Sequence, residues 1–278
     1  MKNILIPTDF SENSWNAIAY AVQFFSKSSC TFYLLNVNTS GNPEGVNAVP
    51  VSDENSAVSV LETPSKVQLK NLLLKIKNTF PNNLKHKFFS VEDNNSILDA
   101  VRKQVVEKKI NLIVMSTKGG SRLKSCVGNT TGNIITKVKC TTLVVPEKAT
   151  YTPPKDIVFP TDFSIFYQIE VLQPIAEIIE KNNSVVHVLH VNKSGAALND
   201  DQQKNRSYLD DYFTDYEHSF EFFTNKYLDD ALQQFINSRN INLITMLAKN
   251  LNYFQKLLFN PTAKEITYYN EVPFLVLH

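Results

Sequence analysis

Glycine is scarce in this chain, with seven among 278 residues, and there are only three cysteines, three methionines and one tryptophan. So little glycine excludes collagen-like and glycine-rich low-complexity architectures. Cys30, Cys126 and Cys140 form an odd set without paired metal spacing, which excludes a disulfide framework and fits a reduced, cytoplasmic chain. A run of about eighteen apolar residues, the least a membrane-spanning helix needs, is also missing. The opening "MKNILIPTDF" reads as neither a signal peptide nor an anchor, so no membrane partner is expected. Charge of one sign is missing too. With 28 Lys and Arg against 27 Asp and Glu, the net charge of +1 gives no global field toward nucleic acid.

What glycine there is collects in one place. Residues 115–132, "MSTKGGSRLKSCVGNTTG", hold four of the seven: Gly119, Gly120, Gly128 and Gly132. Glycine reaches positive φ cheaply and leaves no Cβ between backbone and ligand, so this stretch can turn several N–H groups inward as an anion nest. Lys118, Arg122 and Lys124 add positive charge, and Ser116, Thr117, Ser121, Asn129 and Thr130 add hydrogen-bonding groups. A phosphate is the natural guest. A Walker loop is excluded, because counting back from Lys124-Ser125 puts its required glycines at Leu123 and Lys118. A plain surface loop before a helix is the alternative.

The chain repeats itself. "NILIPTDFS" at residues 3–11 returns as "DIVFPTDFS" at 156–164, "INLIVMSTK" at 110–118 as "INLITMLAK" at 241–249, and "TLVVP" at 142–146 is echoed by "FLVLH" at 274–278. Three matches in one order, in a chain too long for one typical domain, predict two domains at 1–147 and 154–278. The proline-rich junction "PEKATYTPPK" between them reads as an extended linker. In the first copy, runs at 3–6, 31–37, 87–91, 112–115 and 142–145 have strand character, and 11–26, 64–80, 94–108 and about 130–138 have helical spacing. Ser11 or Asp9 is placed to cap the first helix. Such alternation predicts an α/β fold with a mostly parallel sheet covered on both faces, whose ligands bind beyond the carboxyl ends of the strands.

"IPTDFSENS" after the first strand, "VMSTKGGSRLK" after the fourth and the closing "CTTLVVP" together resemble the universal stress protein family, and the repeat resembles its tandem members. The resemblance implies two Rossmann-like (adenine nucleotide alpha hydrolase-like) domains, each a five-stranded sheet, paired through their last strands as an intrachain pseudo-dimer. Further homo-oligomerisation is allowed and not demanded. Nucleotide-binding members carry G-x2-G-x9-G-[ST] in the loop after the fourth strand. Asp9 then matches the adenine-side aspartate, Val37 the position at the end of strand two, and Gly119 the second loop glycine. Ser116 stands where the first glycine belongs. Strict counting puts Asn129 and Thr130 at the far end of the motif, while a one-residue deletion, the preferred register, puts Gly128 and Asn129 there. The implied nucleotide site is Pro7, Thr8, Asp9, Val37, Met115, Ser116, Lys118, Gly119, Arg122, Gly128, Asn129 and Thr130. Its ligand is ATP or another adenine nucleotide, with or without Mg²⁺.

The second copy keeps Asp162, but Leu247 and Asn250 replace the leading glycines, and Leu251, Tyr253, Phe254, Leu257, Leu258 and Phe259 fill the loop. Side chains with a Cβ resist positive φ, so this half is expected to bind no nucleotide in the family mode, its apolar loop instead packing on the sheet, the preferred use, covering the partner domain or offering a docking surface. His187 and His190 lie three apart on a strand, hence on opposite faces, and read as satisfied core or edge histidines. The polar insertion at 38–60 is either a lid or a passive loop, and the acidic stretch 199–212 a solvated helix. No nucleophile with a positioned base is legible, so no dedicated enzyme is expected, slow ATP turnover staying open. A related adenylyl-transferring enzyme is disfavoured by the lack of HIGH-type and SGGxDS-type motifs. Two readings remain. One is a stress-response regulator with adenine nucleotide in its first domain. The other is a nucleotide-free tandem scaffold acting through an unknown protein partner.

Overall fold

The computed structural model describes residues 1–38, 64–117, 129–192, 195–225, 227–249 and 271–278. Its first half runs β1 (Lys2–Pro7), α1 (Glu12–Phe24), β2 (Cys30–Val37), α2 (Pro64–Thr79), β3 (His86–Asp93), α3 (Ile97–Glu107), β4 (Leu112–Thr117), α4 (Asn129–Lys137) and β5 (Thr142–Pro146). The second runs β6 (Asp156–Pro160), α5 (Ile169–Asn182), β7 (Val185–Asn192), α6 (Asp200–Phe213), β8 (His218–Thr224), α7 (Leu228–Arg239), β9 (Leu243–Leu247) and β10 (Phe274–Leu277).

All ten strands join one sheet in the order β3-β2-β1-β4-β5-β10-β9-β6-β7-β8. Each half has the same internal order, read outward from the centre, and within each half the pairing is parallel. At the centre β5 and β10 run antiparallel, with Leu143 opposite Leu275 and Val144 opposite Phe274. The last strands do pair, so two apolar edges that would invite aggregation cover each other. Lys2 in β1 also forms an ion pair with Glu177 in α5, and Lys27 donates to the Lys181 carbonyl at 2.6 Å, tying the halves on one face.

The buried residues explain the strand runs. β4, β5, β9 and β10 lie between helical layers and carry nearly continuous apolar sequence, whereas the edge strand β3 is buried only at its ends, His86 and Asp93, and is half-buried or exposed between them. A core built on Ile4, Ile6, Phe32, Val114, Leu143, Phe159, Val188 and Leu275 crosses from one half into the other. The linker opens with a turn, the Ala149 N–H donating to the Pro146 carbonyl at 3.1 Å, and does not swing free: Ala149 is buried, and Tyr151 meets Tyr20 edge-on at 5.4 Å.

Boundaries moved where side chains compete for backbone groups. Helix α3 starts at Ile97 rather than at 94, because Asp93 first accepts from the Asn95 N–H at 2.9 Å and Ser96 then caps the helix through the Asp99 N–H. The acidic stretch folds as α6, closed by a capping box of Asn199 with Gln202. His187 and His190 do face opposite ways, His187 toward Phe235 and His190 toward Phe163 and Phe222. Among the described residues no helix is long and apolar enough to cross a membrane.

Candidate functional site

The sheet opens at the carboxyl ends of β1 and β4. β1 leaves toward β2 on one side while β4 lies on the other, so this is the topological switch point. The two strands pair only at Ile4 with Leu112 and Leu5 with Ile113, although β1 continues to Pro7 and β4 to Thr117. Beyond Leu5 they diverge. The same two-pair contact recurs between β6 and β9.

One wall is the turn after β1. Thr8 is buried, its N–H donating to the Leu35 carbonyl at 2.8 Å and its Oγ1 accepting from the Phe10 N–H at 3.1 Å. Phe10 holds a φ of 63°, and its counterpart Phe163 one of 55°. Left-handed backbone at a bulky residue costs on the order of 1–3 kcal/mol, and its recurrence marks a built turn rather than an accident. The turn leaves the Asp9 side chain exposed at the crevice mouth. Its Oδ1 accepts from the Ser11 hydroxyl at 2.6 Å and the Ser11 N–H at 3.1 Å. Partial desolvation pushes the Asp9 carboxyl up, but the bonds from Ser11, with a further contribution from Ser14, together outweigh it and hold it below the usual range. Asp9 is therefore ionised near neutral pH, and its second oxygen has capacity to accept from a ligand. Of the two cap candidates, Ser11 caps α1 by accepting from the Ser14 N–H at 3.2 Å.

The opposite wall comes from β4 and α4. Met115 is buried, Ser116 half-buried, and the Thr131 hydroxyl donates to the Ser116 carbonyl at 3.1 Å. That bond pins the start of α4 to the end of β4. The amino end of a nine-residue helix, with its unpaired N–H groups and partial positive charge, is thereby brought to the open edge. Thr130, predicted as a binding hydroxyl, is exposed on the first turn, whereas Thr131 turns inward. Val37 ends β2, half-buried, in register with Asp93.

Pro7, Thr8, Asp9, Val37, Met115, Ser116 and Thr130 therefore lie on the ends of β1, β2 and β4 and on the first turn of α4. Lys118, Gly119, Arg122 and Gly128 lie outside the described residues, as do the side chain of Asn129, most of the insertion at 38–60 and the apolar loop from Leu251 to Phe259. Two supports escaped the sequence analysis. Asn36 donates to the Thr8 carbonyl at 2.8 Å, and Ser65, at the start of α2, donates to Asn36 Oδ1 at 2.6 Å. Their only sequence signal is a polar residue, Asn36, inside the apolar run of β2.

The second half repeats the turn and alters its support. Asp162 accepts from the Ser164 hydroxyl at 2.7 Å, and the Phe163 N–H donates to Thr161 at 3.0 Å. Tyr167 occupies the place of Ser14, its hydroxyl bonded to that of Thr161. A buried ring in place of a hydroxymethyl group displaces the first helical turn, so α5 begins only at Ile169, and its N-cap Gln168 makes no side-chain cap bond.

Known proteins fit this geometry. The chain is similar over nearly its whole length to a universal stress protein from Archaeoglobus fulgidus, at 16% identity and a TM-score of 0.62, covering 99% of this chain and 97% of that one. It is also similar to a putative universal stress protein from Pseudomonas aeruginosa, at 12% identity and a TM-score of 0.58, covering 100% of this chain and 93% of that one. These likenesses establish the tandem fold. No curated protein matches the chain. The family model described as "Universal stress protein family" matches residues 1–146, the half that holds the crevice and the glycine-bearing loop, and the chain belongs to the universal stress protein family.

Proposed function

We propose that the first half binds ATP or a related adenine nucleotide across the β1/β4 crevice, and that occupancy of this site regulates a stress response in the cytoplasm. The observation that carries this reading is the placing of an ionised, exposed Asp9 opposite the amino end of α4 at a splayed switch point. Asp9 would accept from the amino group of the base, with the main chain of Val37 beside it. Ser116 and Met115 would flank the sugar. The phosphates would lie toward the segment carrying Lys118, Gly119, Arg122 and Gly128 and toward Asn129 and Thr130 at the head of α4, with Mg²⁺ accompanying a triphosphate. In this reading residues 1–147 form the binding domain and 154–278 a companion domain whose loop has lost the nucleotide function. No catalytic step is assigned.

A second reading has one observation in its favour. Ser116 puts a Cβ at a point of close backbone approach, and its carbonyl is already bonded to Thr131. A decayed site of this kind suits a nucleotide-free scaffold. Release of nucleotide on denaturing the purified protein separates the two. The first reading predicts adenine nucleotide in the supernatant, sharply reduced in an Asp9→Ala variant. Clean protein that stays clean after incubation with ATP and desalting supports the scaffold.

A further inference from the structure

The second half holds a cleft that the nucleotide reading does not use. It lies where β7 and β8 end under the amino-terminal part of α6, on the far side of β7 from the β6/β9 crevice. Its volume is about 350 Å³, within the range of small-molecule sites. Phe222 forms part of its wall and is 52% exposed, so its ring is open to a ligand. Arg206 enters from α6, its guanidinium carbon 4.7 Å from the centre of the Phe220 ring and 6.0 Å from that of Phe222. Among the described residues Arg206 makes no ion pair and no hydrogen bond, and its contacts are with those two rings. A stacked guanidinium uses its face and leaves its in-plane N–H donors free, in the fork that matches a carboxylate. Polar groups of Asn192, Gln203 and Thr224 complete the wall.

The first half does not repeat this arrangement. By strand register Phe222 is the counterpart of Glu92, because Asn36 pairs with Glu92 as His190 pairs with Phe222. An acid stands where the second half has an exposed ring.

We propose that this cleft binds a small aromatic carboxylate, its ring against Phe222 and its carboxylate on Arg206. Nothing in the proposal depends on nucleotide binding in the first half. Calorimetric titration of the full chain with naphthalene carboxylate, beside its uncharged carboxamide, tests it. The expected result is one saturable site, with the carboxylate favoured by about tenfold or more and that preference lost in Arg206→Met. Phe222→Ser, at a half-exposed position, weakens both ligands and decides the question if the Arg206 variant fails to fold. Absence of saturable binding up to about 10 mM, where affinity would be too weak to matter, overturns the proposal. So does equal binding of carboxylate and carboxamide, or undiminished binding by folded Arg206→Met and Phe222→Ser proteins.

Discussion

His190 performs in the second half the task that Asn36 performs in the first. Its Nδ1 lies 3.0 Å from the Thr161 carbonyl, as Asn36 Nδ2 lies 2.8 Å from that of Thr8. A carbonyl only accepts, so Nδ1 carries the proton. Asn36 passes the interaction on to Ser65, whereas the His190 ring stacks against Phe163 at 5.2 Å. One turn is thus held by two chemistries. Replacing His190 by Leu strands a buried carbonyl and is expected to cost about 1–3 kcal/mol in urea unfolding, while His190→Asn, which can restore the donor, costs less.

The central seam makes a second prediction. Leu143 and Leu275 face each other across β5 and β10 and are fully buried. Each change to Ala should destabilise by about 2–5 kcal/mol. Because the two side chains share one core, the double variant should depart from additivity by about 0.5 kcal/mol or more. Strict additivity in denaturant titrations would contradict the pairing.

Acid sensitivity is expected at Asp93. The Asn95 N–H holds its carboxyl down, burial opposes this, and Lys103 at 3.1 Å adds to the lowering. A carboxyl with a depressed native pKa contributes stability that is complete above its unfolded value, about 3.9, and lost as the pH falls through the native value. Asp93→Asn should therefore be less stable than the parent at neutral pH, the difference shrinking as the pH is lowered past about 4. A difference constant with pH would refute the assignment.

Cys30 and Cys140 should resist alkylation in the folded protein. Burial raises both thiols, Cys140 to about 12, and only the thiolate reacts. Mass analysis after iodoacetamide near neutral pH should find both unmodified in native protein and modified after unfolding.

Much of this was legible beforehand because the signals were local or periodic. The apolar runs marked the strands, Asp9 and Ser11 marked the start of α1 without deciding between them, and the family resemblance implied that β5 and β10 would meet. What stayed hidden depended on distant partners or on phase. Asn36 and Ser65 are 29 positions apart, and nothing local says that they touch. Thr130 and Thr131 are equally plausible hydroxyls until α4 fixes which one turns toward Ser116. The delayed start of α5 followed from a tyrosine in a serine's place, a volume effect that pattern alone does not carry.

The most direct test of the central claim is calorimetric titration of the nucleotide-free protein with ATP and Mg²⁺, run beside a folded Gly119→Arg variant. The nucleotide reading predicts saturable binding at about one site per chain in the parent, lost in the variant, which puts a long cationic side chain where a backbone cradle needs glycine. No binding by verified empty, folded parent up to about 1 mM ATP would contradict it and leave the crevice as an inherited shape.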